Sequence, residues 1–286
     1  MSWALIIHGG AKEIAPEEEE SNRQGLASAI EAGRRVLAGG GSALDACEAA
    51  VRVLEERSVF NAGRGSEPTP DGAIEMCSSV MDGATLDIGG VAAVRGVCHP
   101  VSVARSLLSE REILLAGEGG RQFAEASGAE LCTSEELLTP EQEKALAEAH
   151  DTVGAVAMDA AGNIVAATST GGLEGQKPGR VGDSPMPGCG YYADNLVGGV
   201  ALSGHGEAIA RLMLASRIIH RMEEAGPEPA IAQALALMER TGGDAGGIAI
   251  DRRGRIGWAH NSPHFAVAAI REGEDAAGIW LKKDSE

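Results

Sequence analysis

Short apolar runs of strand length recur along the 286-residue chain and limit the folds open to it. Two pairs of runs are separated only by turn-forming residues, at 160–163 and 251–254, which is typical of β-hairpins. Helical stretches stand between some runs but not between all of them, so the order of elements is mixed. We therefore expect antiparallel sheets covered by helices, an α+β fold. The runs occupy residues 3–7, 89–94, 153–158, 164–168, 197–202, 247–250 and 255–260.

The spacing of apolar residues predicts four helices. The first covers about residues 22–37 and ends at three consecutive glycines, and the second opens at Ser42, with Asp45 in the position of a capping-box acid. Two longer helices are expected over about residues 207–224 and 227–240. Because 44% of the residues are hydrophobic, the chain can bury one large core, and we expect a single structural domain.

Charge and cysteine content exclude several classes of protein. The formal net charge is −18 and the pI about 4.8, so nucleic acids and anionic membrane surfaces would repel the chain. No apolar stretch reaches the roughly eighteen residues of a membrane span, and no basic segment precedes the first apolar run. Five scattered cysteines without a C-x-x-C pair indicate neither a disulfide framework nor a zinc site. These features predict a soluble cytoplasmic protein without nucleic-acid or membrane partners.

A polar, acidic segment, residues 131–151, precedes the apolar run that starts after Thr152. One interpretation is an ordinary surface helix capped at Thr139. The other is a mobile linker that ends in a self-cleavage site between Asp151 and Thr152. Attack of the Thr152 hydroxyl on the Asp151 carbonyl would form an ester, and hydrolysis of that ester would leave Thr152 as a new N-terminus.

An N-terminal threonine carries its own base. Its α-amine, with a reference pKa of about 7.7 to 8.0, can accept the hydroxyl proton without a histidine. Thr170 ends the partner strand of the hairpin, so its hydroxyl can lie beside Thr152 and orient it. Taken alone, Thr152 could also be a simple β-branched strand residue.

Arg180 and Asp183 stand three residues apart in a glycine-rich loop. A free amino acid carries one carboxylate and one ammonium group. Arg180 could bind the carboxylate through two parallel hydrogen bonds, and Asp183 could accept the ammonium. A surface salt bridge between the two side chains is the alternative interpretation.

The sequence Ser203-Gly204-His205-Gly206-Glu207 follows an apolar run and opens a predicted helix. Backbone N–H groups at such a position can stabilise a developing oxyanion, and the Ser203 hydroxyl can add a second donor. Alternatively, Ser203 only caps the helix. A dinucleotide-binding loop is disfavoured because Ile209 occupies the third glycine position of G-x-G-x-x-G.

Together these motifs resemble the plant-type asparaginase/isoaspartyl peptidase family of N-terminal-nucleophile hydrolases. The resemblance extends over nearly the whole chain. It is carried by IHGGA at 7–11, FNAGRGS at 60–66, EM at 75–76, MDG at 81–83, TVGAVA at 152–157, ATSTGG at 167–172, PGRVGDSP at 178–185 and GHGE at 204–207.

The resemblance implies an αββα sandwich that cleaves itself before Thr152. Residues 1–151 would form an α chain and residues 152–286 a β chain within one structural domain, and two of each would assemble as (αβ)2. No cofactor is implied for catalysis. A structural sodium ion is implied in the loop 54–64, bound by the backbone carbonyls of Leu54, Glu55, Arg57, Phe60, Ala62 and Arg64.

Site residues follow from the same resemblance by matching position. Thr152 is implied as nucleophile with Thr170 in support. Ser203 and Gly204 would form the oxyanion hole, with Ser203 standing where the family has threonine. The substrate would be bound by Arg180, Asp183, Gly206 and Asn61, with Asn61 close to the nucleophile.

The implied substrates are β-aspartyl dipeptides and L-asparagine, which present the same amino-acid head and differ in the leaving group. A glycosylasparaginase-like amidase is the second enzymatic interpretation. An uncleaved, non-catalytic protein that binds a small amino acid is a third, and the mass of the intact chain separates it from the other two.

Overall fold

A computed structural model describes residues 2–138 and 152–283 of the chain. In this part of the chain, two sheets contain all the strands. The strands are β1 Ala4–Gly10, β2 Met76–Asp82, β3 Ile88–Val94, β4 Leu115–Ala116, β5 Val153–Met158, β6 Ile164–Thr170, β7 Tyr191–Asp194, β8 Gly198–Gly204, β9 Ala245–Asp251, β10 Ile256–His260, β11 Ala266–Arg271 and β12 Gly278–Trp280.

The helices fall into an early group and a late group along the sequence. They are α1 Glu19–Ala38, α2 Ala43–Glu55, α3 Pro100–Leu107, α4 Gly117–Ala126, α5 Ser134–Leu137, α6 Gly206–Leu212, α7 Leu214–Ala225 and α8 Pro227–Leu235, with 3-10 turns at Gly63–Gly65 and Ala236–Arg240. Within the described ranges, none of these helices has the length and apolar character needed to span a bilayer.

The two sheets stack face to face between two layers of helices. The larger sheet has the order β12-β11-β1-β5-β6-β2-β3-β4 and the smaller β10-β9-β8-β7. Alternate residues of a strand face opposite sides, so Leu5 packs on α1 and α2 while Ile6 packs between the sheets. On the smaller sheet, Val200 and Leu202 pack on the late helices. The expected αββα sandwich is therefore confirmed.

Each predicted apolar run coincides with a strand, and both predicted hairpins are present. β5 pairs with β6 and β9 pairs with β10, all antiparallel. Their turns contain Gly162 and Gly254 with φ of 90° and 75°, a region that favours glycine. The Ser42 side chain caps α2 by accepting a hydrogen bond from Asp45 N–H at 3.1 Å.

The predicted helix over residues 207–224 is wrong as a single element. Met213 adopts a left-handed conformation, with φ 49° and ψ 52°, and separates α6 from α7. The first N–H groups of α7 reach the preceding loop, with Ala215 donating to Cys189 O at 3.1 Å and Ser216 donating to Gly188 O at 2.8 Å. These tertiary hydrogen bonds start a new helix where the apolar spacing alone indicates a continuous one.

The polar segment predicted as a linker begins inside the folded chain. Leu131 forms a bridge with Val97, and Thr133 caps α5 through a complete capping box. Leu137 is buried in the apolar cluster that includes Ile74. Residues 131–138 therefore belong to the folded body, whereas the predicted cap at Thr139 and the Asp151 side of the cleavage site lie outside the described residues.

Candidate active site

Thr152 and Thr170 lie side by side at the open end of the β5–β6 hairpin, away from its turn. Val153 pairs with Ser169, so extending this register by one residue places Thr152 opposite Thr170. Both threonines are nearly buried, at 5% and 4% exposure. Thr170 Oγ1 also accepts a hydrogen bond from Gly172 N–H at 3.2 Å. The structure thus brings together the two hydroxyls that the hairpin predicts.

Ser203 reaches the same place from the smaller sheet. Ala201, two residues earlier on β8, faces the space between the sheets, so Ser203 faces it too. Its Oγ accepts hydrogen bonds from the backbone N–H groups of Thr152 and Ala11, each at 3.1 Å. The N-cap of α6 is His205, without a side-chain capping bond, so the interpretation of Ser203 as a helix cap is wrong. Ser203 instead holds the backbone nitrogen of Thr152.

Ser184 also contacts Thr152, and the sequence did not predict it. Its Oγ lies 3.0 Å from Thr152 Oγ1, and its side chain is buried. Each polar end of Thr152 therefore has a serine neighbour, with Ser203 at the nitrogen and Ser184 at the hydroxyl. A serine in a loop belongs to no periodic pattern that would reveal where its side chain points.

Asp183 is buried in the loop after β6 and is incompletely hydrogen-bonded. It is 2% exposed, and its Oδ2 has no hydrogen-bond partner among the described residues. Burial raises the pKa of Asp183 to about 7, against the lowering effect of nearby backbone N–H groups and of Arg180. An ionised buried carboxylate with an unpaired oxygen is unfavourable, and a bound ammonium group would relieve this.

Arg180 forms its ion pair with Glu207. Its Nε and Nη2 donate to the two carboxylate oxygens, each at 2.9 Å. The alternative interpretation of a surface salt bridge between Arg180 and Asp183 is wrong, since no such pair forms within the described ranges and Asp183 is buried. A guanidinium has five N–H donors in a planar fork, so the Glu207 pair uses one edge and leaves further donors for a second carboxylate.

Two glycines leave room between the guanidinium and the buried carboxylate. A Cβ on Gly206 would lie 2.8 Å from Asp183 Oδ1 and 3.1 Å from Arg180 Nη2, and one on Gly182 would lie 3.0 Å from Arg180 Nη1. Any side chain at Gly206 would therefore fill the space between the two charged groups. The predicted place of Gly206 at the substrate is compatible with this geometry.

Gly204 is a glycine for a different reason. Its φ is 138°, and a Cβ there would collide with the backbone of Asp244 and Ala245, where the neighbouring strand β9 begins. Gly204 lines the same cleft as Thr152. Its place at the end of β8, just before α6, agrees with the predicted position of an oxyanion donor, and the donor role itself stays a prediction.

The cleft that joins these groups is small. Its free space is about 10 Å³, close to that of one water molecule. It is lined by Thr152, Thr170, Gly172, Leu173, Arg180, Gly182, Asp183, Ser184, Gly204 and Gly206.

Asn61 supports the cleft wall without being part of the lining. Its Nδ2 donates to Gly172 O at 2.7 Å, and its backbone O accepts from Gly171 N–H at 2.9 Å. Its Oδ1 accepts from Glu67 N–H at 3.2 Å. Asn61 therefore fixes the loop that follows Thr170, and its predicted substrate contact stays a prediction.

Glu75 fixes the loop that carries Arg180, and sequence reasoning assigned it no role. Its Oε2 accepts a hydrogen bond from Gly179 N–H at 2.6 Å, and its Oε1 pairs with Arg95 at 2.7 Å. Glu75 is itself nearly buried. Glu75 is part of one of the sequence motifs, but only its contact with Gly179 in the folded chain shows that it holds this loop.

His8 lies on β1 beside β5 as a neutral group. It pairs with Gly154 across β1 and β5, and a side chain on Gly154 would collide with its ring. Burial lowers the pKa of His8 to about 3, against the raising effect of the Thr152 backbone. His8 therefore contributes no positive charge near neutral pH.

The loop predicted to hold sodium folds back on itself. The carbonyls of Leu54, Arg57, Phe60 and Ala62 each accept one backbone hydrogen bond, at 2.9 to 3.3 Å. A carbonyl oxygen has two lone pairs, so each keeps one for a hard cation. Among the described residues, no group of three or more His, Cys, Asp or Glu side chains is placed to hold a metal ion. Sodium binding through the carbonyls of this loop stays a prediction.

Comparison with known sequences identifies related proteins. The profile of the asparaginase family matches residues 1–150 and 139–279. The chain is 40% identical over 296 residues to an isoaspartyl peptidase/L-asparaginase of Xenopus laevis, covering 98% of this chain and 96% of that protein. It is 39% identical over 293 residues to one of Danio rerio, covering 96% and 94%. It is 40% identical over 299 residues to one of Mus musculus, covering 98% and 92%.

Proposed function

We propose that this chain, which belongs to the asparaginase family, hydrolyses β-aspartyl (isoaspartyl) dipeptides and L-asparagine. In the proposed reaction Thr152 is the nucleophile. The relatives reported above carry the name isoaspartyl peptidase/L-asparaginase, and the chain matches them over nearly its whole length. The enzyme class is accordingly an amidohydrolase.

The arrangement around Asp183 is the observation that supports this substrate class. A buried carboxylate with an unpaired oxygen lies beside a guanidinium, in the cleft that also contains Thr152. An α-amino acid presents one ammonium and one carboxylate, which Asp183 and Arg180 match in sign and number. L-Asparagine and β-aspartyl dipeptides share this head and carry their amide bond on the β-carbon, where Thr152 could attack it.

The proposed reaction proceeds through an ester. The Thr152 Oγ1 forms a bond to the amide carbon while its proton passes to the Thr152 α-amine and then to the leaving nitrogen. Ser203 Oγ holds the Thr152 nitrogen, and the Ser203 hydroxyl with Gly204 N–H would stabilise the oxyanion. Water then hydrolyses the ester, releasing aspartate and regenerating the Thr152 hydroxyl.

Maturation is part of the proposal because an α-amine on Thr152 exists only after the bond to Asp151 is broken. The products would be chains 1–151 and 152–286, assembled as (αβ)2 by resemblance to the family. A structural sodium ion in the loop 54–64 and a cytoplasmic location belong to the same proposal.

Denaturing electrophoresis and intact mass measurement test the nucleophile assignment. We expect two fragments of roughly 15 to 16 and 13 to 14 kDa, in proportion to chain length, with the smaller beginning at Thr152. Ammonia or amino-acid release is then measured with L-asparagine, a β-aspartyl dipeptide and glycosylated asparagine. A full-length chain that is active after prolonged incubation would contradict the mechanism. Preference for glycosylated asparagine would contradict the substrate class.

A further inference from the structure

We propose that Ser184 is a further catalytic residue, whose hydroxyl donates a hydrogen bond to Thr152 Oγ1 and holds the nucleophile in position for attack. The inference rests on the proposed function, since it concerns the same reaction. The two side-chain oxygens lie 3.0 Å apart, and both residues are buried. Within the described ranges, the Ser184 hydroxyl has no other hydrogen-bond partner.

The backbone carbonyl of Ser184 is held by residues of the larger sheet. Its carbonyl accepts hydrogen bonds from Ser79 Oγ at 2.7 Å and from Thr168 Oγ1 at 2.8 Å. Ser79 and Thr168 are themselves 2.7 Å apart across the pair β2–β6. Because all three residues are buried, this small network holds Ser184 against the nucleophile strand.

The direction of the Ser184 hydrogen bond follows from what attack on an amide needs. The Thr152 hydroxyl must send its own proton to the α-amine, so it cannot also donate that proton to Ser184. Ser184 therefore donates, and Thr152 Oγ1 accepts. Ser184 keeps its proton throughout: the Thr152 O–H bond breaks, the Oγ1–carbon bond forms, and the proton passes to the amine and then to the leaving nitrogen. The donated hydrogen bond stabilises the negative charge that builds on Oγ1 before the bond to carbon is complete.

The position of Ser184 in the chain links the nucleophile to the substrate head. Asp183, the proposed ammonium acceptor, is the preceding residue, so consecutive residues hold the ammonium and the attacking oxygen. Thr152, Asp183 and Ser184 all line the same cleft.

The variant Ser184→Ala tests the proposal, with Ser78→Ala as a matched control. Ser78 is also a buried serine, and its hydroxyl donates to Thr168 O at 2.7 Å. It lies next to Ser79 on β2, so it faces the opposite side of the sheet from the cleft. Ser184→Ala keeps the backbone carbonyl that Ser79 and Thr168 hold, so we expect the loop to remain folded.

The measurements are kcat and KM for a β-aspartyl dipeptide per cleaved molecule, the rate of self-cleavage, and the melting temperature. For Ser184→Ala we expect kcat to fall by about 10- to 100-fold with KM within about threefold, because the donor acts on charge that forms during attack. Ser78→Ala should retain wild-type kcat. A folded Ser184→Ala chain that does not cleave itself also supports the proposal, since cleavage uses the same hydroxyl.

Wild-type kcat in Ser184→Ala would overturn the role, as would losses that are equal in the two alanine variants. If Ser184→Ala does not fold, Ser184→Cys decides, because the thiol has similar size but is a weak donor. An unchanged kcat in Ser184→Cys would overturn the proposal, and a fall of about tenfold would support it. A wild-type protein that neither cleaves itself nor hydrolyses the substrates would refute the proposed function. Failure of the proposed function is therefore distinguishable from failure of the role of Ser184.

Discussion

The two halves of the cleft are built from different chemistry. Around Thr152 the neighbours are uncharged hydroxyl groups, on strand ends or held by the sheet, and they are hydrogen-bonded within the protein. Around Asp183 the groups are charged and belong to a glycine-rich loop, and one carboxylate oxygen has no hydrogen-bond partner in the described part of the chain. We call the groups around Thr152 the nucleophile half and those around Asp183 the head-group half. In the proposed reaction the nucleophile half is complete without substrate, whereas the ligand completes the head-group half.

This difference separates what each half controls. Groups that act on the reacting oxygen are expected to change turnover, because their interaction strengthens only as charge develops. Groups that bind the amino-acid head are expected to change affinity and its pH dependence, because their contacts are present in the ground state as well. Substitutions in the two halves should therefore differ in whether they change turnover or affinity.

Removal of the nucleophile should have the largest effect. Thr152→Ala is expected to abolish self-cleavage and to lower turnover by about 10⁶-fold, to the background rate. Thr241→Ala, at a threonine outside the cleft, is the matched control. Mass measurement and product release check both variants, and a cleaved, active Thr152→Ala protein would exclude Thr152 as nucleophile.

Loss of the Ser203 hydroxyl should have the next largest effect. Ser203→Ala removes one oxyanion donor, which typically lowers turnover by about 10²–10³-fold. It also leaves the N–H groups of Thr152 and Ala11 without their acceptor, so the melting temperature should fall as well. Ser203→Thr should be tolerated, since it keeps the hydroxyl and restricts its rotamer. A destabilised Ser203→Ala protein with unchanged turnover per cleaved molecule would remove Ser203 from the catalytic set.

Arg180→Lys tests the head-group half. A lysine cannot pair with Glu207 and with a substrate carboxylate through the two edges of one planar fork. We expect KM to rise about 10- to 100-fold, with kcat changed much less. Arg34→Lys, which alters a surface pair with Glu31 on α1, is the control. Wild-type KM for both substrates would show that Arg180 does not bind the carboxylate.

The pH dependence of binding tests Asp183. Because burial raises the pKa of Asp183 to about 7, the group is largely protonated at pH 6 and must ionise to accept an ammonium group. The affinity for L-aspartate should therefore rise about tenfold per pH unit up to about pH 7, and binding at pH 6 should release protons. Calorimetry in buffers of different ionisation enthalpy measures both. Binding that is independent of pH between 6 and 8 would contradict the assignment.

The same pKa has a consequence for stability. Since the folded-state pKa of about 7 lies above the ordinary value of 3.8, the folded chain retains the proton while the unfolded chain releases it. The contribution of Asp183 to the free energy of unfolding therefore decreases as the pH rises from about 4 to about 7. Above pH 7 this contribution is at its lowest. Asp183→Asn should weaken aspartate binding yet raise the melting temperature at pH 8. A lower melting temperature would show that the ionised carboxylate is stabilising.

Sodium binding should give the smallest effect. A cation bound by the carbonyls of the loop 54–64 would stabilise the folded state by about 1–2 kcal/mol at a concentration some tenfold or more above its dissociation constant. We expect a rise of a few degrees in melting temperature in sodium chloride relative to choline chloride at equal ionic strength. Identical melting curves would exclude a structural role for sodium in that concentration range.

The sequence alone determined those features that depend on residues close together in the chain, namely strands, turns and the contacts within a hairpin. Two short apolar runs and the turn residues between them predict the β5–β6 hairpin. Its antiparallel register places Thr170 beside Thr152, because the two residues lie close in sequence on neighbouring strands. By contrast, β2 and β11 were not predicted. The buried serines Ser78 and Ser79 interrupt the apolar residues of β2, whereas the composition of β11 does not distinguish it from the runs that were predicted.

Only the tertiary structure decided the contacts between loops and sheets. Ser184 meets Thr152 across 32 positions of sequence, and Arg180 meets Glu207 across 27. No periodic pattern specifies either pair, since each depends on how the loop after β6 lies over the stacked sheets. The cause is that strand and turn geometry follow from neighbouring residues, whereas the burial that raises the pKa of Asp183 exists only once both sheets and that loop are assembled.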